Sequence, residues 1–215
     1  MFRTYTTAQT RAAEERSVAR GVSLKRLMDN AGRALAKAAM ELCPDLPIAV
    51  VCGMGNNGGD GYVCAAALRS AGKDVTVWGI NRETLADESL AGAAALSFEQ
   101  MGGVIYPLTD DIDKIALPAL IVDAVFGIGL TRPVSGVYAR AISLINQSGV
   151  KVLSCDVPSG IDADTGRVLG DAARANVTLM LGLAKPACYL KPGCDYFGDA
   201  RLADIGIPEN VIAGL

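Results

Sequence analysis

The chain has 215 residues, 51% of them apolar, with 20 basic and 23 acidic side chains and a net charge of −3. That length holds one large domain with a buried core, and the slight negative charge gives no electrostatic basis for binding nucleic acid or an acidic membrane. There is no histidine, which excludes histidine-based triads and most zinc chemistry.

Residues 7–20 have the Ala, Arg and Glu content of a helix, and residues 1–20 lack the continuous apolar core of a secretory signal. No apolar run approaches the ~20 residues that span a bilayer, so a cytoplasmic protein with no membrane partner is expected. Ser23 can cap a second helix, in which Leu24, Leu27, Met28, Ala31, Leu35 and Ala39 recur at helical spacing. Pro44 and Pro47 end it. Residues 48–52 form a short apolar run, the pattern of a strand buried on both faces. A glycine-rich turn follows, then an Ala-rich helix over 62–71. The unit then repeats. A strand at 75–80 precedes a helix at 87–101 with Asp87 as candidate cap, and a strand at 104–108 precedes a short helix at 110–116. A strand at 119–125, a helix at 138–148 ended by Gly149, and a strand at 151–155 follow. Residues 177–183 and 200–203 are late strands near a sheet edge. This alternation predicts an α/β fold, a mostly parallel sheet with helices on both faces. No repeat, low-complexity tract or linker divides residues 1–215, which read as one domain. Among the six cysteines no close pair has zinc-site spacing; Cys52, Cys64 and Cys155 fall in apolar runs and are expected as reduced core residues.

Three predicted strands end in loops of unusual chemistry: Gly53-Met54-Gly55-Asn56-Asn57-Gly58-Gly59-Asp60-Gly61, Asp123-Ala124-Val125-Phe126-Gly127-Ile128-Gly129, and Asp156-Val157-Pro158-Ser159-Gly160. In a parallel sheet the carboxyl ends of the strands share one edge, and ligands bind there, at the crevice where the winding reverses. If 48–52 and 119–125 are neighbours across that crevice, the three loops meet. The first loop contains G-x-G-x-x-G, weak evidence alone and also what a tight turn gives. Its glycine density exceeds the need of a turn and predicts close backbone approach to a ligand, at Gly58 and Gly59. Asp60, Asp123 and Asp156 would converge at the crevice, and their repulsion calls for compensation, most simply a bound cation. Asn57, Asp123 and Ser159 supply oxygen ligands. One carboxylate among neutral oxygens suits a hard monovalent ion better than Mg²⁺ or Ca²⁺. The competing reading of each residue is a cap or turn former.

These loops, with Leu27-Met28-Asp29-Asn30-Ala31-Gly32 and Asp204-Ile205-Gly206-Ile207-Pro208, resemble the NAD(P)H-hydrate epimerase family, the YjeF amino-terminal domain, over nearly the whole chain. The resemblance implies a Rossmann-like three-layer α/β/α sandwich. It implies interconversion of the R and S epimers of the hydrated cofactors NADHX and NADPHX, with one potassium ion (K+) per chain. Carried over by motif, the substrate site comprises Asn56, Asn57, Gly58, Gly59, Asp60, Gly127, Ile128, Gly129, Leu130, Thr131, Arg132, Pro133, Tyr138 and Asp156. Asn57, Asp123 and Ser159 would bind the potassium. Ile128 stands where the family usually has Thr. Residues 185–193 differ from the family's shorter Lys-Pro-Gly, which leaves Lys185 and Lys191 as alternatives for the lysine at the site. The resemblance also implies a functional partner, an ADP- or ATP-dependent NAD(P)H-hydrate dehydratase, fused to this domain in many bacteria; no such domain is expected within these residues, which fit either a stand-alone enzyme or a piece of a bifunctional one. It allows a homodimer.

The substrate carries a hydroxyl on C6, beside the ring nitrogen. Loss of that hydroxyl as water leaves a cationic C=N, and water re-adds on the other face. The sequence needs an acid and then a base. One carboxyl can serve as both in turn, and a carboxylate also stabilises the cation. Asp156 is the candidate, with Lys185 named as a further catalytic residue; Arg132 could meet a phosphate or be a solvated surface group. Two other readings compete. An NAD(P)-dependent oxidoreductase would want an acid at the end of the second strand, where the chain has Trp78-Gly79-Ile80-Asn81-Arg82. A non-catalytic binding module would want degraded loops, and these are intact.

Overall fold

The computed structural model describes residues 2–44, 47–108 and 118–215; the short helix expected at 110–116 lies outside them. Thr6 starts helix α1 (Thr7–Val18). Its hydroxyl accepts from the Gln9 amide while the Gln9 side chain accepts from the Thr6 amide, so two otherwise free donors are satisfied reciprocally. Ser23 caps α2 (Leu24–Leu42), as its position predicts. The helix at 87–101 is shorter than expected. It is α4 (Leu90–Gln100), capped by Ser89 rather than Asp87, whose carboxylate instead meets Arg82 at 3.1 Å.

The first glycine loop departs most from expectation. It is not a turn leading to a helix at 62: helix α3 (Asn56–Ser70) begins at Asn56 and takes in Gly58, Gly59 and Gly61. Glycine costs a helix interior about 1 kcal/mol relative to alanine, and packing decides the matter. A Cβ on Gly58 would lie 1.9 Å from the Gly53 carbonyl oxygen, and one on Gly59 would lie 2.5 Å from Met28 Cε of α2. These two glycines therefore let α3 sit against its own entry loop and against α2, so packing by itself requires them. Gly58→Val is accordingly expected to damage the fold itself, by more than the ~1–3 kcal/mol of ordinary overpacking because the clash is with backbone. A thermal melt equal to that of the parent would contradict this.

The remaining elements are β1 (Ile48–Cys52), β2 (Val75–Gly79), β3 (Ile105–Pro107), β4 (Leu120–Ala124), α5 (Gly136–Gln147), β5 (Lys151–Cys155), β6 (Val177–Leu181), β7 (Asp199–Ala203) and α6 (Glu209–Ile212). The strands form one sheet in the order β3-β2-β1-β4-β5-β6-β7, every pair parallel. Alternate residues of each strand face opposite ways. Ile48, Val50 and Cys52 of β1 join α2, α3 and α4 in one apolar cluster, whereas Ala49 and Val51 join Ile142 and Ile145 of α5 in another. Those clusters are the two interlayer cores of an α/β/α sandwich. From β1 the chain winds outwards through α3 to β2 and α4 to β3, then returns to the other side of β1 as β4 and winds the opposite way through α5 to β5. The reversal places a crevice between the carboxyl ends of β1 and β4. There the backbones touch: the Gly53 amide donates to the Ala124 carbonyl at 3.0 Å. Cys52, Cys64 and Cys155 carry free thiols and are buried in the core, as expected.

Candidate active site

At this crevice lies a pocket of about 590 Å³, within the ~300–1,000 Å³ usual for small-molecule sites. Leu24, Leu27, Met28, Phe126, Leu130 and Ile205 supply its apolar walls. Of the residues expected at the site, Asn56, Asn57, Asp60, Gly127, Ile128, Gly129, Leu130, Tyr138, Asp156 and Lys185 line it. Arg132 and Pro133 do not; they line a neighbouring hollow of about 400 Å³ that shares Phe126, Leu130 and Tyr138 with the pocket. The two shared rings, Phe126 and Tyr138, are tilted by 41° with centroids 4.9 Å apart. Thr131 is exposed and lines neither space.

Helix α3 points its start at the pocket. Gly55, its cap, has no side chain to offer, and the first helical hydrogen bond is Gly59 N–H to Gly55 O. The amides of Asn56, Asn57 and Gly58 are thus the free donors of the first turn, where the helix dipole also favours an anion.

Asp156 follows β5 and is the best-anchored acid of the pocket. Its backbone has φ +69°, a left-handed conformation that costs a non-glycine residue about 1–3 kcal/mol, although Asp tolerates it better than most. Tertiary bonds hold it there. The Asp156 amide donates to Leu179 O at 2.8 Å, and the Leu181 amide donates to Asp156 Oδ1 at 3.0 Å. Lys185 Nζ also donates to Oδ1, forming an ion pair in which the Lys185 side chain is 1% and the Asp156 side chain 10% exposed. A second Nζ proton goes to Leu181 O at 2.9 Å. Asp156 Oδ2 has no partner among the described residues. It faces Gly127, where a Cβ would lie 3.4 Å from it and 2.9 Å from Asn57 Oδ1. One oxygen is thereby fixed and the other presented to the pocket. The choice between the two lysines is decided as well: Lys185 reaches Asp156, whereas Lys191 is 80% exposed and lies 3.6 Å from Asp195.

The expected convergence of three acids needs correction. Asp60 and Asp156 line the pocket, but Asp123 does not. Asp123 is fully buried behind the loops, where it accepts from Ser154 Oγ at 2.8 Å, Ser159 N at 2.9 Å and Ser159 Oγ at 2.5 Å. The third acid of the pocket is Glu14 of α1, which the motifs do not touch. Burial raises the Asp60 carboxyl well above the carboxylate range, and the nearby charges of Asp156 and Glu14 add to that while Lys185 opposes it. Burial and then Asp156 raise Glu14 similarly, against Lys185 and Arg11. Burial also raises Asp123, against its hydrogen bonds from Ser159, Ser154 and Val125.

Of the three expected cation ligands, Asp123 and Ser159 are linked to each other. Ser159 Oγ bridges Asp123 Oδ1 and the Phe126 amide, and the Asn57 side-chain nitrogen is buried without a partner. Asp123 is influenced by burial and neutral donors, with no basic side chain among the causes of its shift. The oxygens of these residues, the Asp123 carboxylate with the Ser159 hydroxyl and the Asn57 carbonyl, are of the kind that suits a weakly charged hard cation, whereas the Asn57 nitrogen, a hydrogen-bond donor, is not a ligand.

Residues 24–187 match the family described as YjeF-related protein N-terminus. An NAD(P)H-hydrate epimerase of Pirellula staleyi is 34% identical over 98% of this chain and 95% of its own length. A bifunctional NAD(P)H-hydrate repair enzyme of Thermofilum pendens is 40% identical over 89% of this chain, which spans only 38% of that longer protein. The crystal structure of the yeast protein ynu0 superposes with a TM-score of 0.76, at 23% identity, over 86% of this chain and 82% of that one, a likeness of fold.

Proposed function

This chain belongs to the family of YjeF-related protein N-termini, and we propose that it interconverts the R and S epimers of hydrated NADH and NADPH. The observation that carries the proposal is a carboxylate with one oxygen pinned by Lys185 and a backbone amide and the other free in a pocket at the sheet's switch point. The diphosphate of the substrate would be received by the free amides of Asn56, Asn57 and Gly58. The hydrated ring would then lie toward Asp156, against the apolar walls. Asp156 Oδ2 exchanges a proton with the C6 hydroxyl or with the returning water. Lys185, with its third N–H uncommitted, holds the carboxylate in place. While the ring is cationic, the carboxylate also opposes its charge. Incubating the protein with purified R-NADHX and following the S epimer by chromatography tests this reading: conversion well above the spontaneous rate is expected, and conversion at the spontaneous rate would refute it.

A potassium ion held by Asn57, Asp123 and Ser159 would offset the Asp123 charge and tie together the loops after β1, β4 and β5. A ligand that binds only the folded state raises its melting temperature. The melt of the wild-type protein is therefore expected to rise when potassium replaces choline at equal ionic strength, and that of Asp123→Asn is expected not to respond. Equal responses would remove Asp123 from the site. An ADP- or ATP-dependent NAD(P)H-hydrate dehydratase is the proposed functional partner, consuming one epimer while this site supplies it from the other; self-association as a homodimer is proposed for the assembly.

A further inference from the structure

Epimerisation by loss and return of water sets a geometric demand that Asp156 alone does not meet. The cationic ring is planar at C6. The hydroxyl leaves from one face and water returns to the other, and a carboxyl on one side of a plane serves only that side. Because the reaction runs in both directions, each face needs a group that can donate when hydroxyl leaves and accept when water returns.

Glu14 has the placement for the second face. It comes from α1, outside the sheet, whereas Asp156 stands on the sheet edge after β5. It lines the same pocket, half-buried. Asp156 and Lys185 line that pocket with it, and theirs are the charges that act on it most. Its carboxyl makes no hydrogen bond or ion pair with any other described residue, so no structural partner accounts for it. Packing brings α1 to the pocket: Thr4 bridges Ala184 next to Lys185, the Thr7 amide donates to Asp164 at 2.6 Å, and Thr10 and Arg11 share the wall with Glu14. Asp60, the other carboxyl here, is half-buried like Glu14 but belongs to α3, the helix whose first turn would receive the diphosphate.

We propose that Glu14 is the second acid–base group, serving the face of the ring turned away from Asp156; the inference rests on the epimerase reading above. From one epimer, protonated Glu14 gives its proton to the C6 hydroxyl. The C–O bond breaks with its electron pair leaving on water, and the ring nitrogen lone pair forms the C=N bond. On the opposite face a water oxygen adds to C6, the C=N electron pair returns to nitrogen, and the water's proton passes to the Asp156 carboxylate. Glu14 ends ionised and Asp156 protonated, the form that starts the reverse reaction; one proton exchanged through solvent restores the first form.

The test is Glu14→Gln, a change of charge with little change of shape, assayed with each purified epimer in ¹⁸O-labelled water with the spontaneous rate subtracted. Interconversion is expected to fall about 10²–10⁴-fold. The variant retains Asp156 and is expected to keep catalysing ¹⁸O entry at C6 of one epimer, without inversion, and not of the other. Near-normal interconversion, or loss of exchange from both epimers alike, would overturn the proposal. So would epimer-selective exchange in a parallel Asp60→Asn variant but not in Glu14→Gln. If the wild-type protein itself fails to interconvert the epimers, the epimerase reading fails first and takes this inference with it. Glu14→Ala, read by the same two assays, replaces the amide variant should that variant melt abnormally.

Discussion

Asp156→Asn is expected to lower interconversion of the epimers about 10²–10⁴-fold, the usual worth of general acid–base catalysis, with ligand binding retained. Asn tolerates the left-handed backbone that Asp156 adopts, and its amide oxygen can still accept from Leu181 N and from Lys185. The free position facing Gly127 then carries a group unable to take and return a proton. The rate must be measured with the spontaneous reaction subtracted, and binding by calorimetry on the same preparation. Loss of binding together with rate would mean that Asp156 shapes the pocket and does not perform the chemistry. Near-normal rate would pass the role to Asp60 or Glu14.

Lys185→Met should cost the fold most among changes at the site. The Lys185 side chain is 1% exposed, and its ammonium meets both Asp156 and the Leu181 carbonyl. Removing one member of a buried ion pair strands the other, at a typical cost of about 3–5 kcal/mol. The Asp156 loop, already in a disfavoured conformation, would lose the contact that fixes it. Urea unfolding should register that loss, and activity should fall with it. Lys191→Met, at a position 80% exposed, serves as the control and should leave unfolding unchanged. Equal stability of the two variants would show that the Lys185–Asp156 pair contributes nothing to the folded state.

The strands and their alternation with helices were legible because β1, β4, β5 and β6 are short apolar runs between turn residues, the pattern of a sheet covered on both sides. The meeting of the three loops follows from that topology. Glycine density misled at the start of α3: Gly58 and Gly59 look like a loop because tertiary packing, which local propensity does not encode, is what places them in a helix. Asp123 was correctly placed at a strand end but not on the pocket, since its side chain turns to Ser154, its register partner on β5, and to Ser159. Whether Lys185 or Lys191 reached the site depended on the path of the segment after β6. Glu14 left no signal. It sits in a charged helix whose apolar periodicity is weak, and only the docking of α1 beside Ala184 brings it to the pocket. An acid from an unrelated element has no fixed spacing from the motifs it joins.

The most direct measurement of the central claim follows each purified epimer of NADHX separately, by chromatography, with wild-type protein, with Asp156→Asn and with no protein. The account predicts that wild type drives both starting epimers to one common R:S ratio, far faster than the protein-free samples, and that Asp156→Asn stays close to the protein-free rate. Wild-type curves that overlay the protein-free ones from either starting epimer would contradict it.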